Sequence, residues 1–312
     1  MFPEEESYRT KIFAVEFVSL TATNVSGAGA LFNGGKPDLT NLARAHDTVL
    51  ACAMSDHELR FGGIRRLYGA DGLARLSRAH VCVVGIGGVG SWAVEALART
   101  SVGRLTLVDL DDVCVSNVNR QLHALDGEIG QPKVEVMARR ARAINPSIEI
   151  HTVTEFFSAE NAERLLHAKF DCVLDAIDHL GNKCLLITEC RSQSIPLVTC
   201  GGAGGRRDPT AIRVADLALA SHDRLLQQTR KRLRAEHGFP RQPEEKFGVE
   251  AVFSVEPPVF PWRDGTVCAD REPGSDLKLD CEIGFGTATF VSGAIGFAAT
   301  ACVVAKLTSL HS

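Results

Sequence analysis

Short apolar runs alternate with stretches of helical periodicity between Ala79 and Thr199, and this alternation limits the fold more than any other feature. Runs such as HVCVV and RLTLV have the length and hydrophobicity of buried strands. The pattern predicts an α/β fold with a doubly wound, Rossmann-like, mostly parallel sheet. The predicted strands are His80–Val84, Arg104–Asp109, Ile148–Val153, Asp171–Asp175, Pro196–Thr199 and Ala211–Ala215, and the predicted helices are Val89–Arg99, Pro132–Ile144, Asn182–Ser194 and Asp223–His237.

Changes in composition divide the chain into three parts. Residues 1–53 show no sustained periodicity, which predicts a poorly ordered N-terminal tail. Residues 54–215 contain the alternating strands and helices and are predicted to form the nucleotide-binding domain. Residues 216–312 are predicted to pack on the same core as a basic helix, a C-terminal lid or crossover segment and a terminal apolar helix. The lid is placed at Pro240–Asp280, which is rich in Pro, Gly and charge.

The composition excludes several classes of protein. The 312 residues are 45% hydrophobic and 23% charged, as in soluble globular proteins, and the net charge of -4 argues against indiscriminate coating of nucleic acid. Ten cysteines are scattered through apolar segments without a C-x-x-C pair, so reduced thiols and no zinc are expected.

The two ends of the chain bear on where in the cell the protein is located. Glu4, Glu5 and Glu6 stand where a secretory signal has a basic region, so a cytoplasmic protein is expected. Residues 287–305 are uncharged and long enough to cross a bilayer, which leaves membrane association as an alternative. Their Gly and Ala content favours a tightly packed helix instead.

A glycine-rich motif, Gly85-Ile86-Gly87-Gly88-Val89-Gly90, stands between the first predicted strand and helix. Glycines at this position let backbone N–H groups approach a phosphate, and the helix N-terminus adds a favourable dipole. Asp109 ends the next strand, where a carboxylate accepts hydrogen bonds from ribose hydroxyls. The motif alone is also typical of NAD and FAD enzymes, so an NAD-dependent oxidoreductase stays open at this point.

Charged residues further along the chain favour ATP. A triphosphate needs cations around it and a carboxylate for Mg²⁺, and the chain offers these groups in SNVNRQ, GQPKVEV and LDAID. The candidate residues are Asn117, Arg120, Gln121, Lys133 and Asp178. Surface ion pairs are the alternative interpretation for Arg120 and Lys133.

The successive motifs GIGGVGS, LVDLDDVCVSNVNRQ, GQPKVEVMARRARAINP and VLDAIDH resemble those of the ThiF/MoeB superfamily, whose members resemble the adenylation domain of ubiquitin-activating enzymes. The resemblance covers most of residues 60–199 and makes residues 54–215 an ATP-binding adenylation domain. It implies that Arg120 and Lys133 neutralise phosphate oxygens and that Asp178 coordinates Mg²⁺. The residues that it implies for nucleotide binding are Gly85, Gly87, Gly88, Gly90, Asp109, Asp111, Asn117 and Gln121.

One motif departs from that superfamily. Its members commonly supply an arginine to the partner subunit from an R-[YF]-x-R-Q pattern, but Gly63 occupies the arginine position here. Arg60 or Arg66 is the candidate replacement, and the resemblance implies a homodimer.

Later segments, among them IPLVTCGGAGGRRDPT and DCEIGFGTATFVSGAIGF, resemble the tRNA threonylcarbamoyladenosine dehydratase family. The resemblance then spans about residues 60–305. It implies ATP-dependent cyclisation of threonylcarbamoyladenosine in the tRNA anticodon loop through a carboxyl adenylate, with a sulfur-transfer protein as a further partner. The alternative is an adenylyltransferase that activates the C-terminus of a ubiquitin-like sulfur carrier.

A tRNA substrate requires a local basic surface, for which a solvated helix face is the alternative interpretation. The candidate residues for RNA contact are Arg206, Arg207, Arg230, Lys231, Arg232 and Arg234. Cys268 is a candidate catalytic thiol, since ubiquitin-activating relatives use one as an acyl acceptor, and a simply packed cysteine is the alternative.

Overall fold

The computed structural model of the protein describes residues 55–242, 245–274 and 285–309. The predicted tail, residues 1–53, and the last part of the predicted lid, residues 275–280, lie outside these ranges. The chain divides between Leu59 and Arg60 into two units, and apart from the first turn of one helix everything discussed below concerns the second, Arg60–Ser312. The three-part division proposed from composition stays a prediction.

Helices and strands alternate as the periodicity predicts. The helices are α1 (Asp56–Arg78, with a non-helical Gly69), α2 (Gly90–Arg99), α3 (Lys133–Ile144), α4 (Ala162–Leu166), α5 (Leu180–Ser192), α6 (Arg224–Glu236) and α7 (Thr289–Thr308). The strands are β1 (His80–Val84), β2 (Arg104–Val108), β3 (Glu149–Val153), β4 (Cys172–Asp175), β5 (Leu197–Cys200), β6 (Ile212–Asp216), β7 (Glu250–Ser254), β8 (Phe260–Pro261) and β9 (Val267–Cys268).

Seven strands form one sheet in the order β3-β2-β1-β4-β5-β7-β6. All neighbouring pairs are parallel except β6 and β7, which are antiparallel. The strand order reverses between β1 and β4, and such a reversal opens a crevice at the carboxyl ends of the strands. The predicted doubly wound, mostly parallel fold is confirmed.

Apolar side chains cover the sheet on both faces. One core joins Val81, Val83 and Leu105 of the sheet to buried residues of α2, α3 and α7. The other joins Val84 and Val173 to buried residues of α4, α5 and α6. The molecule therefore has three layers, helix over sheet over helix, because strands that are apolar on both faces need a cover on each.

The predicted terminal apolar helix is α7, and it packs on the sheet. Val291, Ile295, Ala299 and Val303 recur at every fourth position and are fully buried, against α2 and against β4, β5 and β7. Among the described residues, α7 is the one helix whose length and apolar composition would allow it to cross a membrane. The predicted packing of this segment in the core is confirmed.

One strand of the seven-stranded sheet was not predicted. β7 lies between β5 and β6 in the sheet, with Ala251 and Val252 fully buried, although sequence analysis assigned this region to the lid. The interpretation of residues 250–254 as part of the lid or crossover was wrong. The strand has only five residues, and the flanking segments rich in Pro, Gly and charge dominated the composition on which the interpretation was based. The rest of the described segment includes the small β8–β9 hairpin.

Candidate functional site

The candidate site lies at the edge of the sheet where the parallel strands end. β1 runs directly into the glycine loop, Gly85–Gly90, and Asp109 follows β2. The loop that carries Asp178 follows β4, and the glycine cluster Gly201–Gly205 follows β5. Parallel strands bring all of these segments to one edge, at the reversal of strand order between β1 and β4.

The glycines of the loop fall into two groups. Gly85 has φ +91°, and a Cβ there would lie 2.8 Å from the Ala176 carbonyl oxygen, while a Cβ at Gly90 would lie 1.8 Å from the Gly85 oxygen. The chain itself therefore requires glycine at these two positions. Gly87 and Gly88 have room for a methyl group, with nearest atoms 3.8 Å and 3.4 Å away. Close approach of a ligand to the backbone explains these two glycines better than packing does.

Asp109 ties the glycine loop to the end of β2. Its Oδ2 accepts a hydrogen bond from the Ile86 N–H at 2.6 Å, and its Oδ1 accepts one from the Asp111 N–H at 2.9 Å. Burial raises the pKa of Asp109, and the positive charge of Lys133 partly offsets this effect. Each oxygen keeps a second lone pair, so Asp109 can still accept a ribose hydroxyl.

Lys133 is the first residue of α3 and is buried beside the same segment. Its Nζ lies 2.6 Å from Oδ2 of Asp111, whose side chain is half exposed. The ammonium group is thus held in place by an exposed carboxylate at the sheet edge. A phosphate that displaced or joined Asp111 would meet a cation that is already positioned, which favours anion binding over a surface role for this lysine.

Arg120 and Gln121 pack against the exposed side of the glycine loop. The Arg120 Cγ lies 3.5 Å from the Cβ position of Gly88, and the Gln121 Nε2 lies 3.8 Å from that of Gly87. Arg120 donates to the Ser116 carbonyl at 2.7 Å, and its own carbonyl accepts from the Trp92 indole at 3.1 Å. The structure brings both residues to the loop, and their roles there stay a prediction.

Asn117 supports these residues through its backbone carbonyl and its side-chain oxygen. It is buried at the end of the 3₁₀ turn Val115–Asn117, and its Oδ1 accepts from the Cys114 N–H at 3.0 Å. Its backbone carbonyl accepts from the N–H groups of Arg120 and Gln121. Asn117 therefore positions its neighbours, and its own side chain is already bonded.

Two buried polar atoms beside the glycine loop have no protein partner within the described chain. They are Oε1 of Gln121 and Nδ1 of His123. The Nε2 of His123 lies 2.8 Å from the Ile86 carbonyl oxygen, and burial lowers the pKa of this histidine, which favours the neutral ring. Unsatisfied buried atoms are costly, so these two fit a site completed by a polar ligand such as a nucleotide. Sequence analysis missed His123, which carries no metal or catalytic spacing.

Asp178 is exposed in the loop between β4 and α5. A buried ion pair packs under this loop and stabilises it. The Lys183 ammonium, fully buried, lies 2.9 Å from Oδ2 of Asp175 and donates to the Ile177 carbonyl at 2.9 Å. Asp175 also accepts from the Thr199 hydroxyl at 2.6 Å and from the Ile177 N–H at 3.0 Å. Sequence analysis singled out Asp178 and missed Asp175, Lys183 and Thr199, although LDAID contains both aspartates.

Asp178 fits the chemistry of Mg²⁺ in an ATP site. Within the described ranges, no group of three or more His, Cys, Asp or Glu side chains is arranged to hold a metal ion. Mg²⁺ is often held by one or two carboxylates together with substrate phosphates and water. The exposed Asp178 suits such a site.

Cys268 lies in β9, paired with Phe260 of β8. The hairpin adjoins the glycine cluster, since the Val259 N–H donates to the Gly205 carbonyl at 2.8 Å. Arg271 is the cation nearest to Cys268 in the sequence, and its guanidinium lies 5.1 Å from the centroid of the Phe260 ring. Arg263, five residues before Cys268, lies 3.7 Å from Glu272, so its charge is partly neutralised and it offers little to activate the thiol.

The predicted RNA-contact residues separate in the structure. Arg206 is buried and donates to the carbonyls of Gly202 and His222, so its guanidinium does not face solvent. This placement argues against RNA contact by Arg206, because the guanidinium is buried and both of its Nη atoms donate inside the protein. Arg232 pairs with Glu236, one turn along α6. Arg207 is exposed, and Arg230, Lys231 and Arg234 share a groove on α6.

Comparison with known proteins gives one consistent family. The sequence model of the ThiF family matches residues 63–310. The chain is 46% identical over 266 residues to the tRNA threonylcarbamoyladenosine dehydratase of Haemophilus influenzae, covering 85% of this chain and 99% of that protein. It is 49% identical over 249 residues to the Escherichia coli protein of the same name, covering 80% and 93%.

Solved structures agree in fold. A structure named TcdA (CsdL) superposes with a TM-score of 0.75 at 47% identity, covering 81% of this chain and 96% of that one. The Escherichia coli tRNA N6-threonylcarbamoyladenosine dehydratase in complex with ATP superposes with a TM-score of 0.72 at 45% identity, with the same coverage.

Proposed function

This chain belongs to the ThiF family, and from that premise we propose that it is an ATP-dependent tRNA threonylcarbamoyladenosine dehydratase. The observation that carries the proposal is identity of 46% with a protein of that name over 85% of the chain. The segments that build the site, from the glycine loop to α5, all lie within the matched range.

The reaction follows from the chemistry of a carboxylate and ATP. A carboxylate oxygen of the threonylcarbamoyl group bonds to the α-phosphorus, and the bond to the β-phosphate breaks to release pyrophosphate. A carbamoyl nitrogen then bonds to the activated carbonyl carbon and loses its proton, while the carbon–oxygen bond to AMP breaks. The substrate loses the elements of water and gains a ring. Ring closure is fast because the nucleophile is in the same molecule.

The roles that we propose for the residues come from the family resemblance, and their positions in the structure support them. The amides of Gly87 and Gly88 and the start of α2 cradle phosphate, and Asp109 with Asp111 holds the ribose. Arg120 and Lys133 stabilise negative charge as the α-phosphorus is attacked. Asp178 would hold Mg²⁺, which would neutralise negative charge on the phosphates.

Partners and location belong to the same proposal. A homodimer is retained from the family resemblance, with Arg60 or Arg66 reaching the partner's site. The tRNA is the substrate, and a sulfur-transfer protein is retained as a further partner. The chain is also 38% identical to the molybdopterin-synthase adenylyltransferase of Escherichia coli over 149 residues, which covers 47% of this chain. A cytoplasmic location is kept as the expectation.

The test is release of AMP and pyrophosphate in the presence of tRNA carrying threonylcarbamoyladenosine. We expect R120A, K133A and D178A each to lower this release by about 100-fold or more, because each removes a group that stabilises transferring phosphate. R213A is the matched control, since Arg213 lies exposed on the edge strand β6 and donates only to nearby carbonyls. K133R controls for the buried position of Lys133.

Three outcomes would contradict the proposal. Retained turnover in all three variants would refute the assigned site. Pyrophosphate exchange that requires a small protein ending in Gly-Gly, and not tRNA, would indicate the carrier-activating alternative. Calorimetric binding of NAD in preference to ATP would indicate an oxidoreductase.

A further inference from the structure

A polar stripe runs along one face of α6, starting at the residue that caps it. Asp223, Gln227, Arg230, Lys231 and Arg234 follow at spacings of four, seven, eight and eleven residues, which places them on one side of a helix. The side that faces the core carries Leu225, Leu226, Thr229 and Leu233, all buried. Asp223 is buried, and the four stripe residues after it form the border between the core side of the helix and solvent.

Part of this stripe lines a shallow groove. Four of its lining residues are cationic, and none of the described lining residues is acidic; the lining consists of Gln227, Arg230, Lys231, Arg234, Ala235 and Arg241. We call this surface the basic groove. A net charge of -4 for the whole chain makes such a local excess of positive charge more notable. Like charges held together repel one another, so the groove suits an anion that spans several of them.

Arg230 has an unused donor in this groove. Its Nη1 is buried and has no hydrogen-bond acceptor among the described residues. Burial lowers the pKa of Arg230, the charge of Arg234 lowers it further, and Asp223 partly opposes both. A buried guanidinium nitrogen without an acceptor is costly, and an anionic ligand oxygen would satisfy it.

Arg234 is held in a fixed orientation beside Arg230. Its Nε donates to the Pro240 carbonyl at 3.0 Å, and its guanidinium lies 5.1 Å from the centroid of the Phe247 ring. A planar guanidinium fixed in this way is well suited to phosphate, because its remaining N–H groups match phosphate oxygens in geometry. Two neighbouring arginines of this kind favour the binding of a phosphate group over a single contact with a carboxylate.

The stripe begins at the candidate site. Asp223 accepts from the Leu226 N–H at 2.9 Å as the helix cap and from the Gly202 N–H at 2.9 Å. Gly202 belongs to the glycine cluster after β5, at the sheet edge where Asp178 follows β4. Eleven residues of helix span about 16 Å. The stripe therefore extends about 16 Å from this edge of the sheet, a length that several nucleotides could cover.

We propose that the basic groove binds the ribose–phosphate backbone of the tRNA beside the modified adenosine, with Arg230 and Arg234 on one phosphate and Lys231 and Arg241 on its neighbours. The inference rests on the proposed function and adds the location of the RNA. The groove has no aromatic side chain among its lining residues, so it reads the backbone and does not stack on bases.

The test measures binding of an unmodified tRNA transcript, so it does not depend on turnover. R230Q is expected to raise the Kd for this transcript by about tenfold, because a charge-assisted bond to phosphate is lost. The association constant of the transcript falls as the salt concentration rises. R230Q should make the slope of its logarithm against log salt less negative by about 1. K231Q, at an exposed position of the same groove, should change the slope similarly, so the test does not depend on one partly buried residue.

Arg213 supplies the matched control, as R213Q removes an exposed arginine on β6. We expect R213Q to leave tRNA binding unchanged, and all three variants to keep the wild-type Kd for ATP. Equal tRNA affinity for R230Q, K231Q and R213Q would overturn the inference. Wild-type protein that binds the transcript through the groove but never cyclises modified tRNA would refute the proposed function alone. Wild-type protein that binds no tRNA would refute both.

Discussion

At the scale of single residues, the two aspartates of the LDAID segment have different environments. Asp175 is fully buried and bonded to Lys183, Thr199 and the Ile177 N–H, whereas Asp178 is exposed three residues later. A buried carboxylate that is already bonded in this way has little capacity left for a metal ion. The buried pair therefore holds the loop in place, and the exposed Asp178 is the carboxylate that we propose meets a ligand.

This difference predicts that substitutions in the buried pair lower the stability of the protein far more than a substitution of Asp178. K183M should lower the free energy of unfolding by about 3–5 kcal/mol, because it leaves the Asp175 charge buried without its partner. The double variant K183M/D175N should recover part of this loss, since no buried charge remains. D178N should change stability by less than about 0.5 kcal/mol, as expected for an exposed side chain. Urea denaturation measures all three, and a loss below 1 kcal/mol for K183M would contradict this view of the pair.

At the scale of elements, α7 and the glycine loop are packed backbone against backbone. A Cβ at Gly296 would lie 2.6 Å from the carbonyl oxygen of Val89, the residue that precedes α2 in the loop. A Cβ at Gly293, one turn earlier, would make an ordinary contact of 3.6 Å with Trp92. The C-terminal helix α7 thus packs directly against the glycine loop. A segment far along the sequence therefore contributes to the position of the nucleotide site.

We expect G296A to destabilise the protein by about 1–3 kcal/mol and to weaken ATP binding, because the added methyl group displaces the Val89 carbonyl. G293A should be neutral or stabilising by up to about 1 kcal/mol, since alanine is the better helix former and has room there. Thermal unfolding and ATP calorimetry on both variants check this. Equal behaviour of the two glycines would show that the close contact has no such consequence.

At the scale of the whole molecule, the described chain assembles most of the proposed ATP site by itself. Gly87, Arg120, Lys133 and Asp178 all come from one protomer, at one edge of one sheet. The proposal adds one arginine from a partner subunit, which the family resemblance implies although Gly63 stands at its usual position. Arg66 is exposed on α1, and Arg60 lies near the start of the same helix.

A complementation experiment tests this arrangement. The variant R60A/R66A keeps an intact ATP site, and K133A keeps both arginines, so each alone should be nearly inactive. Mixed and allowed to exchange subunits, they should regain activity, because a heterodimer contains one site with all of its groups. Sedimentation equilibrium should show a dimer. No gain on mixing, or full activity of R60A/R66A alone, would contradict an arginine supplied by the partner.

The sequence by itself determined the alternating architecture and the glycine loop, because local hydrophobic period and glycine spacing are short-range properties. It also supplied the candidates Arg120, Gln121 and Lys133, whose roles come from the family resemblance and stay a prediction. Tertiary structure decided what depends on distant contacts. It inserted β7 between β5 and β6, buried Arg206 away from solvent, and paired Asp175 with Lys183 beneath Asp178. Whether a charged side chain is buried or exposed is set by the elements packed around it, and no local pattern records those neighbours.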